Sequence, residues 1–87
     1  MGERDRHAVE ARLARIEGHV HAIHTMIHEG KGYPEIAHQI AAVRSALDSA
    51  LGAIVEDLAR DCLAASRGKG AVASAVEELR EVVATSL

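Results

Sequence analysis

Residues 29–36 read EGKGYPEI, and this stretch decides how the chain folds. Gly30 and Gly32 favour the backbone angles of a helix cap followed by a turn. Pro34, two residues on, suits the opening of a new helix, where its missing N–H costs nothing. Upstream, Leu13, Ile16, Val20, Ile23 and Ile27 recur at spacings of three and four, the mark of one apolar face on an amphipathic helix. Downstream, Ile36, Ile40, Val43, Leu47, Leu51, Ile54 and Leu58 repeat that pattern. The stretch therefore joins two long helices, expected over about residues 3–29 and 34–65. A connection this short sets them antiparallel, as a helical hairpin.

Further along, Ser66-Arg67-Gly68-Lys69-Gly70 should end the second helix. Ser74-Ala75-Val76-Glu77 then reads as a capping box for a shorter third helix over about residues 74–85, with Val76, Leu79 and Val83 inward. The chain has 87 residues, 48% of them hydrophobic, and Tyr33 is its one aromatic. That is the material of close-packed aliphatic helices in one small domain, residues 1–87. Narrow apolar stripes leave their edges wet in a lone hairpin. The expected fold is thus all-α: a three-helix protomer, a long antiparallel hairpin plus a short third helix, pairing into a four-helix-bundle dimer. Ala41, Ala42, Ala46, Ala50, Gly52 and Ala53 on the second helix permit close approach.

A formal net charge of −3 gives no global nucleic-acid signal, so only a local patch would bind DNA. The single cysteine, Cys62, excludes an intramolecular disulfide framework and fits a reducing compartment. The charged start of the chain resembles no secretory signal, and no apolar run is long enough for a bilayer. A cytoplasmic protein without membrane partners is expected. There is no nucleophile–base pair, phosphate-cradling glycine loop or carboxylate constellation, so an enzyme is not.

Residues 19–28, HVHAIHTMIH, carry four histidines. At about 100° per residue, His21, His24 and His28 share one flank of the first helix, roughly a quarter turn from its apolar stripe. His19 lies on the other flank with Arg12, Arg15 and Met26. His24 and His28, four apart, would share Zn(II), Ni(II) or Co(II) if His38 or His7 of a neighbouring chain completed the set. Otherwise they are ordinary polar residues of a helix surface. Arg12, Arg15 and His19 form a ladder that either tracks backbone phosphates or is simply solvated. Glu10 and Glu17 lie off it.

The segments ARLARIEGHVHAIHTMIHEG, HQIAAVRSALDSAL and EDLARDC resemble the copper-sensor repressor family, the CsoR/RcnR/FrmR type of metal-sensitive transcriptional repressor. The resemblance spans about residues 6–87. It implies small, cytoplasmic, all-helical repressors whose dimers form disc-like tetramers, hold operator DNA without a helix-turn-helix, and release it when an effector binds. It also implies that Arg12, Arg15 and Arg44 face DNA. His19 stands where relatives usually carry glutamine.

The effector position departs further. Copper-sensing relatives place a cysteine at the start of the second helix, then histidine and cysteine four apart near its end. The corresponding residues here are Tyr33, Leu58 and Cys62. Leucine offers no donor, and a phenol is a poor ligand for a soft metal. The copper site is therefore not intact. The nitrogen donors of nickel and cobalt sensors are missing too, as is the first cysteine of the thiol-reactive relatives. The expected function is a repressor with an altered sensor, its effector a transition metal (Cu, Ni, Co or Zn) or a thiol-reactive species. The alternatives are a histidine-based metal site drawing on His24 and His28, and a helical interaction or metal-buffer module without DNA binding. Cys62 itself is either a ligand, a reactive thiol or a small buried apolar residue.

Overall fold

The computed structural model describes residues 2–64 and 69–86. They form three helices, α1 (Glu3–His28), α2 (Tyr33–Ala64) and α3 (Lys69–Ser86), with no strand among the described residues. The all-α class and the long hairpin are those expected.

The α1 to α2 junction shows why EGKGYP turns the chain. α1 ends in a Schellman arrangement: the Lys31 N–H donates to the Met26 carbonyl at 3.0 Å and the Gly30 N–H to that of Ile27 at 3.1 Å. This satisfies carbonyls that a helix end leaves orphaned, and it needs a residue in the left-handed region. Gly30 occupies it at φ 77°, and no other described residue has positive φ. α2 then opens at Tyr33, with the Ile36 N–H donating to the Gly32 carbonyl at 3.2 Å. Pro34 sits within that first turn, where no intrahelical donor is required.

α1 and α2 meet along Ile16, Ile23 and Val43, with Ile36 and Ala46 packed against them. The buried positions repeat every seven residues, as in Ile16 and Ile23, and in Val43, Ala50 and Asp57. Leu13, Val20 and Ile27 on α1, and Ile40 and Leu47 on α2, share the same stripes yet remain 40–54% exposed. Each apolar stripe is thus split lengthwise. One edge closes the hairpin and the other is an open seam. The shape agrees: the chain measures 57 × 26 × 12 Å with a radius of gyration of 17.3 Å, against about 12 Å for a compact domain of this length.

α3 differs from expectation in two ways. It begins at Lys69, so Ser74 lies inside it and cannot act as an N-cap. Once a helix is nucleated, each further residue adds a hydrogen bond, and Ala71, Val72 and Ala73 extend it upstream at little cost. Its inward face also differs. Ala75 is buried and Leu79 and Val82 are half-buried, whereas Val76 and Val83 are exposed. The helix runs antiparallel to the second half of α2, with Ala75 level with Cys62 and Val82 level with Ile54. α3 packs on α2 alone. The expected break over residues 66–70 lies largely outside the described residues.

Candidate nucleic-acid interface and effector position

A groove of about 270 Å³ runs between α1 and α2, lined by Arg12, Arg15, Ile16, His19, Ala46 and Ser49. Its shape follows from the sequence. α1 places two arginines and a histidine one turn apart beside the buried Ile16. α2 opposes them with small side chains, which leave the space. Both arginines are exposed, and neither forms an ion pair among the described residues. Their charge is therefore unspent, and a groove lined by two cationic side chains attracts anions rather than cations. A phosphodiester oxygen matches it in charge and in hydrogen-bonding character.

His19 is not on the open surface with them. It is half-buried, and its Nε2 lies 2.7 Å from Gln39 Oε1 of α2. The amide oxygen is an acceptor, so Nε2 carries the proton. Nδ1 makes no hydrogen bond among the described residues. Helical periodicity puts His19 on the correct flank but does not reveal Gln39 as its partner. The available signal is a pair of polar residues beside apolar stripes that face one another.

Arg44 is exposed and also without an ion pair among the described residues, yet it does not line the groove. At about 100° per residue it lies roughly 140–160° around α2 from Ser49 and Ala46, beside the open seam of Ile40 and Leu47. One chain therefore brings Arg12, Arg15 and His19 together and leaves Arg44 on a separate face.

Of the three residues that the resemblance assigns to the effector, Tyr33 opens α2 and is 91% exposed, while Leu58 is buried at 9%. The half-buried Cys62 thiol donates to the Ala75 carbonyl of α3 at 3.3 Å. Twenty-five residues of helix separate Tyr33 from Leu58, roughly 37 Å at 1.5 Å per residue, so one chain cannot bring them together. Beside Leu58 a cavity of about 130 Å³ is lined by Ile54, Asp57, Asp61, Glu78 and Val82. Asp57, buried at 8%, continues the inward row of Val43 and Ala50. It is held by Arg60 at 3.3 Å, which also reaches Asp5 of α1 at 3.8 Å, so this network ties the start of α1 to α2. Sequence patterning does not reveal it, because an aspartate on an apolar row reads as a break in the stripe.

His24 and His28 are exposed, a turn apart on the far flank of α1 and far from Cys62 in the fold. No group of three histidine, cysteine, aspartate or glutamate side chains is arranged to hold a metal among the described residues. The three residues that the resemblance sets at the family's copper position do not suit a soft metal: one thiol, a leucine without a donor atom and an exposed phenol.

The chain is thus a three-helix scaffold with an open apolar seam and an arginine row on its hairpin, and comparison with known proteins gives the family. The family described as metal-sensitive transcriptional repressor matches residues 5–85, and the chain belongs to it. It is 32% identical over 79 residues to the copper-sensing transcriptional repressor CsoR of Bacillus subtilis (strain 168), covering 91% of this chain and 78% of that protein. Its structure is similar to that of the nickel-responsive transcriptional regulator InrS, with a TM-score of 0.81 and 34% identity over 93% of this chain and 91% of that one. No helix among the described residues is long and apolar enough to cross a membrane.

Proposed function

We propose that residues 1–87 act as one cytoplasmic DNA-binding and effector domain, a transcriptional repressor released from its operator by a small effector through a non-standard sensor. The observation that carries this reading is the groove of Arg12, Arg15 and His19, with cationic side chains that no acidic partner neutralises among the described residues. An isolated groove contacts about one phosphate, too little for a stable repressor complex, so several copies must act together. The open seam supports this. Leu13, Val20, Ile27, Ile40 and Leu47 line one face at heptad spacing, and an identical hairpin would cover them as a four-helix bundle. Pairing also places Arg44, beside the seam, near the partner copy, and a dimer of dimers then presents several arginine rows to one duplex.

The effector is a transition metal (Cu, Ni, Co or Zn) held by donors other than the family's copper set, which is not intact here, or a thiol-reactive species. Of the family's sensor positions Cys62 alone retains a reactive donor, and its contact with Ala75 couples it to α3. Any change at the thiol therefore acts on the packing of α3 against α2. A second reading, a histidine-based site, rests on His24 and His28 standing one turn apart and exposed, with a third ligand from a neighbouring copy. The deciding experiment measures binding of a duplex from the promoter upstream of its own gene by fluorescence anisotropy, for wild type and Arg15→Ala, across salt. Tight binding that weakens steeply with salt, and weakens at every salt on Arg15→Ala, supports the repressor reading. Absence of binding overturns it in favour of an interaction or metal-buffer module.

A further inference from the structure

We propose that the groove between α1 and α2 is a single-phosphate site in which His19, oriented by Gln39, is a proton-dependent third donor beside Arg12 and Arg15. The proposal rests on the repressor reading for the identity of the phosphate as a DNA phosphodiester. The chemistry of the groove stands without it. Gln39 Oε1 accepts from Nε2 at 2.7 Å, so in the neutral ring the proton is on Nε2 and Nδ1 presents a lone pair. With Nε2 taken by Gln39, Nδ1 is the ring nitrogen left for a ligand of the groove, and its lone pair repels a phosphate oxygen drawn in by Arg12 and Arg15. On protonation Nδ1 becomes a second donor, the ring keeps its bond to Gln39, and the groove offers three cationic donors.

The charged surroundings of His19 are few. On its own helix Arg12 and Arg15 share the groove. From α2 the groups lining the groove or bonded to the ring are Gln39, Ala46 and Ser49, all uncharged, and α3 does not reach α1. Glu35, one turn before Gln39, is exposed and forms no ion pair with His19 among the described residues. A bound phosphate is therefore the anion that favours the imidazolium. Phosphate in the groove and a proton on the ring therefore favour one another. Imidazole is the side chain that makes this change near neutral pH. Gln39 is a positioning residue: it does not line the groove and acts by holding Nε2, which leaves Nδ1 as the nitrogen available to a ligand.

The test follows duplex binding at fixed ionic strength from about pH 6 to 8, with imidazole ¹⁵N NMR of the full chain. The ring of free His19 is expected as the Nε2–H tautomer. Wild-type affinity should gain up to about tenfold per unit fall in pH beyond any gain in His19→Gln. Gln39→Glu, an acceptor-only replacement, should keep this coupling and move it to higher pH, because a carboxylate favours the imidazolium. Gln39→Leu should mix the tautomers and flatten the dependence. Equal pH slopes in wild type and His19→Gln, or an Nδ1–H tautomer, overturn the proposal. If no duplex binds at any pH, the repressor reading fails separately, and inorganic phosphate at constant ionic strength decides. A movement of the His19 ¹⁵N signals toward those of imidazolium on adding phosphate, in wild type but not in Arg15→Ala, supports the site, and no movement overturns it.

Discussion

Leu47 lies in the open seam of α2, 47% exposed. Full burial of a leucine side chain is worth about 1.5–3 kcal/mol, so the half still exposed offers roughly 1 kcal/mol to a partner. Leu47→Ala forfeits most of that. In a two-fold dimer the same contact occurs twice, which raises the loss to about 2 kcal/mol and weakens dimerisation roughly 30-fold. Sedimentation equilibrium over a wide concentration range measures the dissociation constant directly. Ile23→Ala provides the contrast. Ile23 is buried within the hairpin, so its truncation should cost about 2–5 kcal/mol of folding stability, read by urea unfolding. A Leu47→Ala variant that dimerises as tightly as wild type would refute the assignment of this seam to a second copy.

Other consequences are as specific. Arg15→Ala should reduce the slope of log K against log salt by about 1, one phosphate contact, and an unchanged slope would remove Arg15 from the interface. Gly30→Ala should destabilise the chain by about 1–2 kcal/mol, the cost of a left-handed alanine, because nothing lies within 4 Å of the added Cβ and the backbone alone is strained. Thermal or urea unfolding measures it. Anaerobic titration with Cu(I) should give far weaker binding than an intact thiolate–imidazole site, and a tight stoichiometric complex would contradict the donor set of Tyr33, Leu58 and Cys62. Calorimetry with Ni(II) or Zn(II), repeated on His24→Ala, tests the histidine-based sensor, which requires tight binding that this substitution abolishes.

Much of the fold is legible in the order of residues alone. EGKGYP fixes the hairpin because backbone angles at a left-handed cap are a local property, and Gly30 meets that demand wherever the helices later pack. The apolar stripes are legible for the same reason, since a period near 3.6 is written into a single run of residues. Local signals fail at α3. Ser74 and Glu77 have capping-box chemistry, but cheap helix extension through Ala71 to Ala73 outweighs it, and contact with α2 selects Ala75 over Val76 as the inward residue. The family's effector triplet maps onto Tyr33, Leu58 and Cys62 by resemblance, and its missing donors are plain from residue type.

Local pattern and residue type suffice for the helical hairpin and for the flank that unites Arg12, Arg15 and His19. Which half of each stripe closes the hairpin and which stays open is a matter of tertiary packing, since Ile16 and Val20 are equally apolar and differ only in where α2 lies. The same packing sets Arg44 apart from the other arginines, brings Cys62 to the carbonyl of Ala75, and joins His19 to Gln39 across twenty residues. Pairings of that kind depend on the height and rotation of one helix against another, and neither quantity is encoded in the periodicity of a single helix.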